Sequence, residues 1–279
     1  IGRLEGKDPG PVTPHLVAHR LGKRAVLRLD GADGRSRFAR LRAVKSDAGQ
    51  VQFARHMALR RALGEGGRLR IPEPLGEEPA LGLSLYAALD GEAPRCTGLE
   101  GFADCRDIAA AIGALQSLPL TDLPEHDAGA ETALLRAWFG RTASVFPDLA
   151  EAIRAPLERV VADLAALEPL PPVPAHRDLH EKQIVLTGGL AGILDFDTLS
   201  LGDPALDIGN LQAHLFLAGL HTDRSSAAFE WALMIAMPGL SVGRVRIWRR
   251  AALLRLAMIY AFSDTAPHIV KRLVGEAGS

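Results

Sequence analysis

A mixed α+β fold, built as two lobes around a shared cleft, is what this sequence predicts. Three observations carry the prediction. Strand-like patterns and tight turns fill the front of the chain, helical periodicity fills the remainder, and one non-helical insert between Pro174 and Pro204 interrupts the helices. A length of 279 residues is enough to bury a sizeable core in one large domain or two modest ones.

The front of the chain reads as a small antiparallel sheet. Residues 15–20, 23–29 and 37–45 have strand character, with turns at Leu21-Gly22 and at Gly31-Ala32-Asp33-Gly34. Asp47 precedes a run over residues 48–63 in which Val51, Ala54, Ala58 and Ala62 recur at helical spacing, and Gly64, Gly66 and Gly67 end it. Ile71-Pro72-Glu73-Pro74 must be extended, because each proline fixes its own φ and restricts the residue before it. Residues 81–89 form an apolar strand closed by Asp90-Gly91. Helices are then expected near residues 106–117, 131–144, 149–167, 206–218, 225–237 and 242–262. Inside the insert, Ile184-Val185-Leu186 and residues 191–194 flank Thr187-Gly188-Gly189, a hairpin signal. These patterns put a sheet-bearing lobe at residues 1–89 and a mainly helical lobe at residues 90–279.

Composition narrows the function classes. Hydrophobic residues at 48% and charged residues at 23% are ordinary for a soluble globular protein. The 32 Lys and Arg offset 33 Asp and Glu to a net charge of -1, so the overall basic field of a nucleic-acid binder is missing. The apolar stretches 211–220 and 251–262 are too short to span a bilayer, and Arg255 breaks the second, so no membrane partner is expected. The first residues lack the charged-then-apolar pattern of a signal peptide, and the true start is expected to precede Ile1. Cys96 and Cys105 sit in no metal-like spacing and read as reduced thiols, which points to a cytoplasmic setting.

The chemistry-bearing residues flank the hairpin. His176-Arg177-Asp178-Leu179-His180-Glu181-Lys182-Gln183 precedes it, and Asp195-Phe196-Asp197 follows it. Phosphoryl transfer needs a loop carboxylate to accept the substrate hydroxyl proton and an amide-type oxygen a few residues on to hold metal. It also needs a second carboxylate across a hairpin to hold metal over the nucleotide phosphates. Asp178, Gln183 and Asp195 fill those three places. Farther on, Asp203-Pro204 reads as a helix start, since Asp caps free amides and proline suits a first turn.

His-x-Asp-x-x-x-x-Gln at residues 176–183, Ile193-Leu194-Asp195-Phe196-Asp197, and Gly202-Asp203-Pro204-Ala205-Leu206-Asp207 together resemble the aminoglycoside phosphotransferase and choline kinase family, relatives of the protein kinases. The resemblance implies a two-lobed protein-kinase-like fold with an antiparallel-sheet N-lobe and a mainly helical C-lobe. It implies ATP and Mg²⁺ as cofactors, and transfer of the γ-phosphoryl group to a hydroxyl of a small molecule: an amino sugar, a choline-like alcohol, a sugar or a related metabolite. By the same resemblance Asp178 is the catalytic base, Asp195 the principal Mg²⁺ ligand with Gln183 beside it, His176 a brace for the loop, and Asp207 a tie between that loop and the following helix. Arg40 stands where the family's third strand carries a phosphate-pairing lysine. Residues 83–88 are implied as the inter-lobe connection that receives the adenine edge.

The sequence also departs from the family's pattern. Arginine at position 40 keeps the charge but changes reach and fork geometry. His56 takes the place of the glutamate that pairs the lysine, and on an Arg-rich helix it reads as a surface histidine without a fixed negative charge. Gln183 replaces asparagine, and in place of a Gly-x-Gly-x-x-Gly loop only Gly22 marks the first turn. Arg40 and His56 keep open a nucleotide-binding pseudokinase with a regulatory or interaction role. A metal-dependent hydrolase using His176, Asp178, His180 and Asp195 is a second rival. Two charge clusters have double readings. Asp122, Glu125, Asp127 and Glu131 could attract a cationic substrate or form a solvated loop, and Arg246, Arg249 and Arg250 could form an anion site or a solvated helix face.

Overall fold

Short turns that need left-handed glycines fold the front of the chain back on itself. β1 (Val12–Arg20), β2 (Arg24–Gly31) and β3 (Ser36–Arg42) are joined by turns in which Gly22 has φ 67° and Gly34 has φ 75°. A computed structural model of the chain describes residues 1–6, 8–42, 48–64, 66–96, 101–264 and 266–279. The end of the expected third strand, with Val44 and Lys45, lies outside the described residues, as does Asp47.

A short helix α1 (Gly2–Glu5) precedes the sheet, and α2 (Ala48–Leu63) follows β3. After a two-residue strand β4 (Leu69–Arg70), β5 (Pro74–Glu78) and β6 (Leu83–Ala87) complete an antiparallel sheet in the order β1-β2-β3-β6-β5. Leu29, Ala39 and Leu85 form its buried apolar face. The structure corrects the expected inter-lobe connection. Leu83–Ala87 is an inner strand, held on one side by β3 and on the other by β5, so its backbone is committed to the sheet. The crossing begins at Ala88, whose N–H donates to the Ser36 carbonyl at 3.1 Å. Glu92 then exchanges backbone hydrogen bonds with Leu186 at 2.8 and 2.9 Å.

The rest of the chain is mainly helical: α3 (Phe102–Gln116), α4 (Ala128–Val145), α5 (Pro147–Ala165), α6 (Leu206–Thr222), α7 (Ala227–Ala236), α8 (Val242–Tyr260) and α9 (Pro267–Gly278). Asp127 caps α4 by accepting from Ala130 N–H at 2.7 Å, and Pro147 lies in the first turn of α5. The short strands β7 (Glu125–His126), β8 (Val173–Ala175) and β11 (Ser200–Gly202) form one small sheet. β9 (Ile184–Thr187) and β10 (Leu190–Ile193) form the expected hairpin, turned by Gly188 at φ 58° and Gly189 at φ 75°. β4 pairs in parallel with β10, so a strand from the front of the chain is hydrogen-bonded into the sheet of the helical part. Among the described residues no helix is long and apolar enough to cross a membrane.

The two charge clusters divide between internal ties and solvent. Glu131 is buried between His126 and Arg255 and is not presented for a cationic substrate, whereas Asp122, Glu125 and Asp127 are exposed, Asp127 also capping α4. Arg249 binds Glu230 and Glu276, Arg250 binds Asp163, and Arg246 donates to the Ser279 carbonyl, which fastens α8 to α5, α7 and the chain end. Asp203 accepts from Ala205 N–H at 2.9 Å just ahead of α6, and Arg244 of α8 grips the same carboxylate.

α6 runs through the centre of the helical part with Leu206 through Ala213 all buried, and it crosses α8 closely at Gly209. A Cβ at Gly209 would lie 2.7 Å from Arg249 N and 2.7 Å from Trp248 Cβ, contacts that only a helix shift relieves. Gly209→Ala is therefore expected to destabilise the fold by about 1–3 kcal/mol despite the better helix propensity of alanine, as read from urea unfolding midpoints.

Candidate active site

The loop between β8 and β9 is fixed from below by a buried carboxylate. Asp207, at the start of α6, is fully buried and accepts from the backbone N–H groups of His176 and Arg177, each at 2.8 Å. Arg177 takes φ 70°, a conformation costly for a non-glycine residue, at the very peptide that Asp207 holds. Burial pushes the Asp207 carboxyl up, opposed by His176, the two amides and the Arg177 charge.

His176 braces the loop from inside. Its Nε2–H donates to the Leu194 carbonyl at 2.8 Å, which leaves Nδ1 as the acceptor for Asp178 N–H at 3.4 Å. Thr198 Oγ1 donates to the His176 carbonyl at 2.7 Å, and Asn210 Nδ2 donates to the Leu179 carbonyl at 2.9 Å. Leu179 is buried and Asp178 is exposed, so the loop's anchors point inward while the carboxylate faces solvent.

Asp195 leaves β10 with φ 63°, a second left-handed non-glycine residue, and shares a cleft of about 380 Å³ with Gln183. Val26, Tyr86, Leu89, Val185 and Leu194 give the cleft apolar walls suited to a flat aromatic base. Gln183 is buried, and its Oε1 has no hydrogen-bond partner. An orphaned amide oxygen lining the same cleft as a carboxylate offers the hard, oxygen-only donors that suit Mg²⁺, so the residues present fit that ion.

Three arginines converge on the two acids after the hairpin. Arg40 places NH2 2.5 Å from Asp195 and NH1 2.7 Å from Asp197. Arg24 reaches Asp197 at 3.2 Å and Asp195 at 3.7 Å, and Arg42 also binds Asp197. Burial works against ionisation of Asp195, but the Arg40 guanidinium, helped by Arg24, outweighs it and holds the carboxyl below its usual range. Arg40 itself is pushed further up, burial being outweighed by Asp197 and Asp195.

His56 is corrected from the surface to the interior. It is 6% exposed, its Nε2–H donates to the Pro72 carbonyl at 2.7 Å, and its ring meets Tyr86 and Phe196 edge-on at 5.0 and 5.9 Å. The surface reading followed from the arginines around it, but the sheet and Phe196 cover the one face of α2 on which His56 lies. Burial chiefly, with Arg40 adding to it, lowers its pKa to about 4. Arg24 went unread by the sequence. In the sheet Arg24 lies directly across from Arg42, a like-charged pair whose repulsion Asp197 offsets.

The hydrolase arrangement does not form. Among the described residues no three His, Cys, Asp or Glu side chains cluster to hold a metal ion. His176 points inward at a carbonyl, and the His180 ring lies against His214 at 5.0 Å.

The buried histidine has a consequence for acid stability. Its folded pKa of about 4 lies below 6.5, so the unfolded chain takes up the proton first and stability is lost as pH falls between those values. The loss from this residue reaches up to about 3 kcal/mol by pH 4. His56→Gln, which keeps a donor for Pro72, should flatten that part of the curve in urea unfolding at pH 7 and pH 5, and an unchanged slope would remove His56 as its source.

Comparison with known proteins agrees with this geometry. The computed fold superposes on the aminoglycoside phosphotransferase APH(4)-Ia in a thermostable mutant apo form, with TM-score 0.70 and 14% identity over 99% of this chain and 97% of that one. It matches a Plasmodium vivax ethanolamine kinase with TM-score 0.68 and 12% identity, over 96% of this chain and 82% of that one. It also matches the spectinomycin phosphotransferase APH(9)-Ia, solved with ADP and spectinomycin, with TM-score 0.67 and 10% identity over 99% and 96% of the two chains. A sequence search of curated proteins finds no match. Identities this low speak for the two-lobed kinase-like fold alone, but the model of the phosphotransferase enzyme family matches residues 16–234, well over half of the sequence, and the chain therefore belongs to that family.

Proposed function

We propose that this phosphotransferase moves the γ-phosphoryl group of ATP to a hydroxyl of a small molecule, with the cleft holding the nucleotide and Asp178 facing the acceptor. The observation that carries the reading is the unpaired, buried Gln183 Oε1 beside the ionised Asp195 in an otherwise apolar-walled cleft. A relative of the same fold was solved with ADP, which supports an adenine nucleotide here. The free Cys96 and Cys105 fit a cytoplasmic protein, where ATP is at hand.

The roles follow from position. Asp178 orients the acceptor hydroxyl and takes its proton as the oxygen bonds to the γ-phosphorus and the bond to the β–γ bridging oxygen breaks. Mg²⁺, held by Gln183 Oε1 and the Asp195 carboxylate, would neutralise charge on the phosphates. Arg40 brings a fixed positive charge to the same end of the cleft. His176 and Asp207 act on none of the reacting atoms; they hold the loop on which Asp178 stands. Acceptor candidates are amino sugars, choline-like alcohols, sugars and related metabolites.

Calorimetry of ATP binding with and without Mg²⁺, followed by ADP release against a panel of those acceptors, tests the reading. Mg²⁺-dependent binding with turnover is the expected result, and binding without turnover on any acceptor would favour a non-catalytic nucleotide binder. Asp178→Ala should leave nucleotide affinity intact while lowering turnover by roughly 10² to 10⁴ fold, the range for a lost general base. Asp195→Ala should abolish the Mg²⁺ dependence of ATP binding, and an unchanged dependence removes Asp195 from the metal site.

A further inference from the structure

The turn between β1 and β2 overhangs the reacting acids with an unusual charge. A hollow of about 270 Å³ is lined by four cations, Arg20, Lys23, Arg24 and Arg42, standing across from Asp178 and Asp195. Arg24 and Arg42 are partly neutralised by the two acids after the hairpin. Arg20 and Lys23 are exposed and form no ion pair among the described residues. With Arg40 behind them, five cations face the three carboxylates of Asp178, Asp195 and Asp197.

The backbone of this turn has one of its N–H groups already engaged and lacks a run of glycines. Glycine-rich phosphate loops bind through successive free N–H groups. Here the Lys23 N–H is spent on the Arg20 carbonyl at 2.9 Å, and the single glycine, Gly22, takes φ 67° to close the turn. Cationic side chains are what the turn offers instead. Arg20 and Lys23, exposed and without an ion pair among the described residues, line the same hollow as the carboxylates at which the phosphates must lie for the proposed transfer.

Resting on the phosphotransferase reading, we propose that this protein grips the nucleotide's polyphosphate through the side chains of Arg20 and Lys23, with Arg24 and Arg42 behind them, in place of a backbone glycine loop. Side-chain charges on flexible stems bind by net charge, so the contribution grows with the number of phosphates and weakens with salt.

The test compares adenosine, ADP and ATP, the latter two with Mg²⁺, by calorimetry at low and high salt for wild type and the double variant Arg20→Ala/Lys23→Ala. Neither side chain packs in the core, so the variant is expected to fold, and its circular dichroism and melting curve check this. ATP affinity should fall about tenfold or more, ADP affinity by less and adenosine affinity hardly at all, with a shallower salt dependence. Arg20→Lys/Lys23→Arg should retain ATP affinity. Unchanged ATP affinity in the alanine variant, an equal loss for adenosine, or weakening of only the acceptor would each overturn the proposal. If wild type itself bound no nucleotide, the phosphotransferase reading would fall first and this one with it.

Discussion

The Asp207 carboxylate is the fixed point from which the site is built. A carboxylate moved into a protein interior loses several kcal/mol of hydration unless hydrogen bonds replace it, and here two backbone N–H groups of the loop between β8 and β9 supply that replacement. The dependence runs both ways, because the same bonds hold Arg177 in its left-handed conformation and so aim the next residue, Asp178, outward. Asp207 in turn is only as fixed as α6, which is buried along most of its first three turns and locked against α8 at Gly209. Asn210, one turn on, ties Leu179 of the loop to Arg255, and Arg255 continues to Glu131 and His126. A polar chain thus carries the position of the loop that bears Asp178 into the helical core.

The front of the cleft is organised by a different economy of charge. An ion pair between the third strand and the following helix is the family's way of setting α2 against the sheet. Here that helix contributes a neutral, buried imidazole. His56 anchors α2 by a hydrogen bond to the Pro72 carbonyl and by edge-on contact with Tyr86 and Phe196. Phe196 also lies 5.0 Å from the His176 ring, so aromatic contacts run from α2 through Phe196 to the loop that bears Asp178. Packing thus links α2 to the loop between β8 and β9, while the arginines of the sheet pair with Asp195 and Asp197.

Much of this was legible in the sequence, for identifiable reasons. The hairpin was plain because two adjacent glycines between apolar runs leave few conformations open, and both adopt positive φ. The acids on either side of it could then be placed by spacing alone. The strand β5 was not legible, since Pro-Leu-Gly-Glu-Glu has no apolar alternation and becomes a strand by pairing with β6 at a bulge. α9 carried its signal openly, with Ile269, Val270, Leu273, Val274 and Ala277 forming one buried stripe, but it went unread. The burial of His56 and the inward ties of Glu131 and Arg249 depend on which distant element covers a helix face, which local patterning does not encode.

Arginine suits position 40 because its fork straddles two acids. A lysine ammonium is a point charge that serves one partner at a time, whereas the planar guanidinium presents NH1 to Asp197 at 2.7 Å and NH2 to Asp195 at 2.5 Å. The Asp195 carboxyl is consequently held below its usual range, against the opposing effect of burial. Asp197, which also receives Arg24 and Arg42, gathers three positive charges at one carboxylate.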